Sequence, residues 1–262
     1  MSRNATKDLT TGSPMKLILG FGIPLLFGML FQQFYNMMDT IIVGKFLGVS
    51  ALASVGATGS INFMIIGFCM GVCNGFAIPV AQRFGAKDEH GMRKFVANSV
   101  WLSIIFAVVM AVLVCVFCRQ ILELMNTPED IIDGSYSYIF VIFLGIPATY
   151  MYNLLSGIMR SLGDSKTPLY LLIFSSILNI ILDLLSIIVL KMGVAGAAWA
   201  TVIAQAVSGF CCLGVIWKKF PILHVQREEW QPDKLCILNL CNMGIPMGLQ
   251  YSITAIGSVI IQ

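Results

Sequence analysis

The sequence predicts an all-α polytopic membrane protein: a six-helix bundle followed by a seventh transmembrane helix that begins a second, parallel repeat. Three observations predict it. Of the 262 residues, 58% are hydrophobic and only 11% charged, whereas a soluble domain carries roughly 25% charged residues. Seven apolar runs each reach the length of about 20 residues that a bilayer core demands of a helix, and a Gly-Ile-Pro triplet near the start recurs after a basic linker.

The runs are 17–47, 51–80, 96–117, 136–158, 169–190, 194–217 and 238–261. They are continuous, not about ten residues of alternating polarity, which points to helices and away from barrel strands. The first two are long and call for tilt, a kink or ends outside the hydrocarbon. The first also carries Gln32, Gln33 and Asp39 and has no small-residue cleavage site near its end, so it reads as a retained span.

Orientation follows from counting lysine and arginine. With the N-terminus in the cytoplasm, the inner segments hold thirteen: Arg3, Lys7, Lys16, Arg83, Lys87, Arg93, Lys94, Arg160, Lys166, Lys218, Lys219, Arg227 and Lys234. The outer segments hold three, Lys45, Arg119 and Lys191. That positive-inside bias places the chain in the inner (plasma) membrane with its N-terminus inside. The net charge of +3 then needs no nucleic-acid partner. Cys115 and Cys118 make a C-x-x-C spacing, but no second pair or nearby histidine completes a zinc site. The cysteines read as small buried hydrophobes, and His90 and His224 receive no ligand role.

The longest basic connection divides the chain. Residues 1–217 read as an N-terminal lobe, 218–236 as a cytoplasmic linker and 237–262 as the first helix of an incomplete second lobe. Gly22-Ile23-Pro24 is expected to open span one, and Gly244-Ile245-Pro246, 222 positions later, span seven. Six spans per repeat put both repeats the same way up. The chain is accordingly expected to be a fragment or a truncated reading frame.

Only two acids lie within predicted spans, Asp39 and Asp183. A charge at bilayer depth costs several kcal/mol, so such residues mark ion or substrate pathways unless they serve as protonated helix-to-helix hydrogen-bond donors. At about 1.5 Å per residue, both sit roughly 10–12 Å inside the outer membrane face. Thr201 falls at a similar depth in span six, and Asn179 lies one turn from Asp183 on the same face. Two close acids in a low dielectric cannot both stay ionised, which suits a proton carrier; Asp39, Asn179 and Asp183 offer the same oxygens to Na⁺. No other cofactor or metal is indicated. Gln32, Tyr35, Asn36, Asn153 and Gln205 supply possible polar cavity lining. Pro24, Pro147 and Pro79, the last expected to close span two, mark bends. The run from Gly193 to Thr201 gives span six a small-residue contact face.

At these residues the chain resembles the multidrug and toxic compound extrusion (MATE) family. The similar stretches are Gly22-Ile23-Pro24; Met38 to Gly44 around Asp39; Arg160-Ser161-Leu162-Gly163-Asp164-Ser165-Lys166-Thr167-Pro168; Asn179 to Asp183; and Gly193 to Thr201 with Gln205. The resemblance implies the N-lobe of a two-lobed secondary antiporter, not an enzyme. Such proteins export cationic or amphipathic drugs or metabolites in exchange for Na⁺ or H⁺. It maps the N-lobe cation site onto Asp39, Asn179, Asp183 and Thr201, with Gln32 a weaker candidate. Besides the lipid bilayer and its small-molecule substrates, the expected partner is the missing C-lobe.

Other readings are a lipid-linked-oligosaccharide flippase of the same superfamily, a non-functional transporter fragment, a seven-helix receptor and an intramembrane aspartyl protease. The flippase would want arginines in its spans, and none is expected there. The receptor would place the N-terminus outside. Neither intramembrane aspartate has the Gly-x-Gly-Asp context of the protease.

Overall fold

A computed structural model describes the fold of residues 12–261 and the side chains of 12–254. Arg3 and Lys7 of the charge count, and the last side chains of span seven, lie outside the described residues. The described residues form helices joined by short turns and loops, with no strand among them.

Helix α1 (Pro14–Leu47) turns at Gly48, with φ of 88°, directly into α2 (Val49–Gly85). Asp88 then accepts a hydrogen bond from the Gly91 amide at 2.9 Å and starts α3 (Glu89–Val116). A short α4 (Cys118–Leu124) follows, then α5 (Ile132–Leu144) and α6 (Ile146–Ser161). Asp164 caps α7 (Lys166–Leu184) through the Thr167 amide at 3.0 Å. A π turn, Leu185–Val189, extends α7; then come α8 (Val194–Lys219) and α9 (Lys234–Ile261). Five described helices, α1, α2, α3, α7 with its π turn and α8, are long and apolar enough to cross a membrane. The bent pair α5–α6 passes the same test when taken together, which makes up to six.

The predicted span 136–158 is that bent pair, angled by 47° at Gly145. Pro147 in the first turn of α6 cannot donate to the helix before it. A Cβ on Gly145 would lie 2.3 Å from Val202, so α8 packs into the bend. Two other expectations are corrected. Gly22-Ile23-Pro24 and Gly244-Ile245-Pro246 open no helix: Pro24 and Pro246 lie inside α1 and α9. Pro79 lies inside α2, which runs on to Gly85. Each helix continues past its proline because only one backbone donor is lost, and neighbouring helices keep the axis in place.

α2 is the central pillar. It packs on α6 along one side and on α9 along another. Against α9 the backbones nearly touch: a Cβ on Gly75 would stand 2.5 Å from the Gly244 Cα, and one on Gly71 2.6 Å from the Met247 carbonyl. Close approach through glycine is how helices gain van der Waals contact where lipid already satisfies large apolar side chains.

The connection from α8 to α9 is pinned to α3. Glu229, 1% exposed, receives Arg93 Nε at 2.8 Å, the Gln226 amide at 2.8 Å and His90 Nδ1 at 3.0 Å. Burial acts to raise the Glu229 carboxyl, but the Gln226 amide, Arg93 and His90 outweigh it and hold it below the ordinary glutamate value. Asn98 of α3 accepts from the Asp233 amide at 3.0 Å, and Trp101 Nε1 donates to the Trp230 carbonyl at 3.2 Å. The residues between the two lobes predicted from sequence are therefore folded onto the first of them.

Candidate functional site

The polar residues predicted at one depth converge. α1 is buried only toward its end, at Asp39, Ile42 and Val43, and this end meets α7 and α8. Asp183, fully buried, sits on the last turn of α7 next to the π turn. There Ser186 Oγ donates to the carbonyls of Leu182 at 2.7 Å and Asp183 at 3.2 Å. π distortions recur at functional positions because they redirect side chains that regular α geometry would stack. Gly196 allows α8 up against this turn; a Cβ there would meet Ser186 at 3.1 Å.

The Asp39 and Asp183 carboxyl groups come within electrostatic reach of one another. Oδ1 of each is buried without a donor. A proton or a hard cation is what satisfies such oxygens. Asn179, 1% exposed, has its amide orientation fixed by the Thr201 backbone N–H, which can only donate and therefore faces the amide oxygen, at 3.2 Å. The amide nitrogen then donates to Asp183 Oδ2 at 3.0 Å, and the oxygen also accepts from Thr201 Oγ1 at 3.3 Å. Tyr35 Oη completes the relay at 3.1 Å from Thr201 Oγ1. The chain of bonds runs Tyr35, Thr201, Asn179, Asp183, with Asp39 beside the last.

Tyr35, Asn179 and Thr201 also line a cavity of about 30 Å³, room for one or two waters. Neither aspartate lines it, so the relay stands between this space and the carboxyl pair. A larger cavity of about 490 Å³ lies further along α1 and shares Gln32, Tyr152 and Leu172 with the small one.

Of the remaining candidates, Gln32 lines both cavities, Gln205 the small one and Asn153 the large one. Gln205 Oε1 accepts from Thr149 Oγ1 at 2.6 Å, and Asn153 Nδ2 donates to the Thr149 carbonyl at 2.8 Å. Asn36 stands apart: it is exposed, lines neither cavity, and donates to Gln33 Oε1 at 3.4 Å. Sequence reasoning missed Tyr138 of α5, 6% exposed and within electrostatic reach of Asp39, Asp183 and Tyr35. One tyrosine in an aromatic run carries no signal. It also missed Arg160. Assigned to an inner loop, this residue lies inside α6 and lines the large cavity. α6 runs past the end of the apolar run 136–158, which puts Arg160 in its last turn.

Comparison with known proteins gives this geometry a context. The MatE family model matches residues 24–185. A probable multidrug resistance protein of Bacillus subtilis, YoeA, is 31% identical over 91% of the chain and 53% of its own length. Multidrug resistance protein PmpM of Pseudomonas aeruginosa is 27% identical over 93% of the chain and 52% of its own length. Among solved structures, the outward-facing conformation of a multidrug resistance MATE transporter superposes with a TM-score of 0.86 at 27% identity. It is covered over 94% of this chain and 55% of its own. A transporter from Pyrococcus furiosus superposes with a TM-score of 0.86 at 27% identity, over 96% and 55%. The chain spans about half the length of the curated relatives it matches.

Proposed function

The chain belongs to the MatE family of multi-pass, non-enzymatic efflux transporters, and from that premise we propose that it supplies the proton-coupling lobe of a drug/H⁺ antiporter. One observation carries the reading. Two buried carboxyl groups from different helices lie within electrostatic reach of one another, each with an oxygen lacking a donor, beside a hydrogen-bonded relay that reaches a cavity.

The same geometry favours H⁺ over Na⁺. The Thr201 amide turns the Asn179 oxygen away from the carboxyls and its nitrogen toward them. A proton on the Asp39–Asp183 pair leaves the Asn179 amide as it stands, whereas Na⁺ held by the Asn179 oxygen would require that amide to turn over and break its bond to the Thr201 backbone. Gaining or losing that proton changes the charge between α1 and α7. Since α1 is buried only around Asp39, its pose is the element that protonation biases. That gives the two-state coupling alternating access needs. Cationic or amphipathic compounds would occupy the large cavity. We place the N-terminus in the cytoplasm and the chain in the plasma membrane, with residues 237–262 belonging to a second lobe.

The test is efflux of a fluorescent organic cation from proteoliposomes, driven by an imposed pH gradient or an imposed Na⁺ gradient. The protein is used as this chain and joined to a second six-helix lobe. Export driven by the pH gradient and abolished in Asp39→Asn and Asp183→Asn is the expected result. Export driven by Na⁺ alone, or undiminished by both substitutions, sinks the reading.

A further inference from the structure

Between the first half of α7 and the last turns of α8 lies an open groove of about 460 Å³. Its α8 wall is Cys211, Gly214, Val215, Lys218 and Lys219, spaced i, i+3, i+4, i+7 and i+8 and so one stripe of the helix. The stripe is apolar until its last turn, where both lysines stand. Leu171 and Phe174, three positions apart on α7, form the facing wall. The α8 backbone is bare at Gly214, where a Cβ would meet no neighbouring atom within 4 Å.

The groove shares no residue with the two cavities near α1. Phe174, Phe210, Leu213 and Trp217 at and around it are exposed, so it opens on the outer surface of the bundle. α9 packs on α2 and α3 and leaves it uncovered. Depth then places the lysines. α8 has 26 residues, which at a rise of about 1.5 Å span about 39 Å, against roughly 30 Å of hydrocarbon. Trp217, 75% exposed, directly precedes Lys218, and tryptophan marks the head-group level of a bilayer. Its ring centroid lies 4.9 Å from that of His224, whose Nε2 donates to the Trp217 carbonyl at 3.1 Å. Neither lysine forms an ion pair with a described acid.

We propose that the α7–α8 groove binds an anionic phospholipid of the cytoplasmic leaflet, with an acyl chain along Leu171, Phe174 and Val215 and the phosphate at Lys218 and Lys219. Charge complementarity selects this occupant. A neutral lipid has no use for two unanswered lysines at head-group depth, and a soluble anion has none for the apolar walls. Basic pockets between transmembrane helices hold anionic head groups in this way. The choice of leaflet rests on the orientation proposed above. The site itself does not rest on transport, so its test stands whether or not the chain exports anything.

The test uses the whole chain in detergent, titrated with phosphatidylglycerol and with phosphatidylcholine of the same acyl chains, and counts retained lipids by native mass spectrometry. Expected is one phosphatidylglycerol bound roughly tenfold more tightly than phosphatidylcholine. Lys218→Gln combined with Lys219→Gln should abolish that preference. Gly214→Leu, which fills the groove and keeps both charges, should weaken phosphatidylglycerol binding as much. Lys87→Gln combined with Lys234→Gln removes the same charge from the same side of the membrane and should leave the preference intact. Equal binding of the two lipids by the unaltered chain overturns the proposal. So does a preference that survives loss of Lys218 and Lys219, or one that falls equally in both double variants, which would mean surface charge alone. Displacement by glycerol phosphate would make this a site for soluble anions, and loss of the lipid on joining a second six-helix lobe would give the groove to that lobe; either result overturns it. Should Gly214→Leu fail to fold, the lysine pair, exposed on the surface, decides alone.

Discussion

Helices α1 and α2 are near equals in sequence, 34 and 37 residues long, each rich in large apolar side chains and each interrupted by one proline. Their fates are opposite. α1 exposes Ile18, Leu26, Met29, Leu30 and Phe34 and is buried at three residues near its end. α2 is buried along most of its length, and what it buries is largely small: Ser54, Thr58, Gly67, Cys69, Gly71, Cys73 and Gly75. In water the large apolar residues would have gone inside. In a bilayer they gain nothing by leaving lipid, so small residues that admit a neighbour's backbone mark the interior. α1 is correspondingly held by its polar end, where Asp39 and Tyr35 meet α7 and α8, and α2 by its shape.

The contrast can be broken hardest on α2. Gly75→Leu would drive a side chain into the Gly244 backbone, and overpacking of this kind costs about 3 kcal/mol or more. The expected outcome is loss of a monodisperse species in detergent, or a fall in melting temperature larger than for any substitution on α1 before Gln32. A wild-type melting temperature would show that the α2–α9 contact is not what holds the bundle together.

Next in size is the clamp that keeps α9 in place. Glu229→Gln removes the charge from the bonds to Arg93 and His90, at a cost of about 1.5–3 kcal/mol. The folded Glu229 carboxyl titrates below its ordinary value of 4.5. Its stabilisation is therefore present above that pH and is lost as pH falls through the folded value. Thermal unfolding of the parent should weaken over that acid range, and the variant should lack the corresponding part of the dependence. Identical pH profiles would remove the clamp from the account.

Smaller again is Tyr35→Phe, which deletes the hydroxyl bonded to Thr201. One neutral hydrogen bond is worth about 1 kcal/mol, so a several-fold loss of pH-driven export with little change in melting temperature is expected. A large drop in melting temperature instead would make Tyr35 a structural strut. At the bottom of the scale is Leu30→Ala, on the exposed face of α1, expected to shift stability by less than about 0.5 kcal/mol. A larger effect would mean that this face is covered in the folded protein.

The spans were legible because a bilayer imposes one rule on every residue in it: continuous apolar length, readable without knowing any neighbour. Asp39, Asn179, Asp183 and Thr201 were legible too, since a polar residue amid such a run stands out and helical rise gives its depth. Asn36 shows where that logic stops, because depth says nothing of azimuth, and one position along the helix from Tyr35 it faces away from both cavities. Arg160 shows a second limit. Its charge is of the kind that usually closes a helix outside the membrane, and only the packing of α6 against α2 drew it into a cavity.

The sequence by itself determined the solvent, the order of the apolar helices, and which polar residues must be accounted for. Tertiary structure decided which way they face: the bend at Gly145, the π turn after Asp183, the Asn179 amide fixed by the Thr201 N–H, and the glycine contact of α2 with α9. The physical reason is range. Solvation acts on each residue alone and is written into its type, whereas orientation and pairing depend on atoms that arrive from distant parts of the chain.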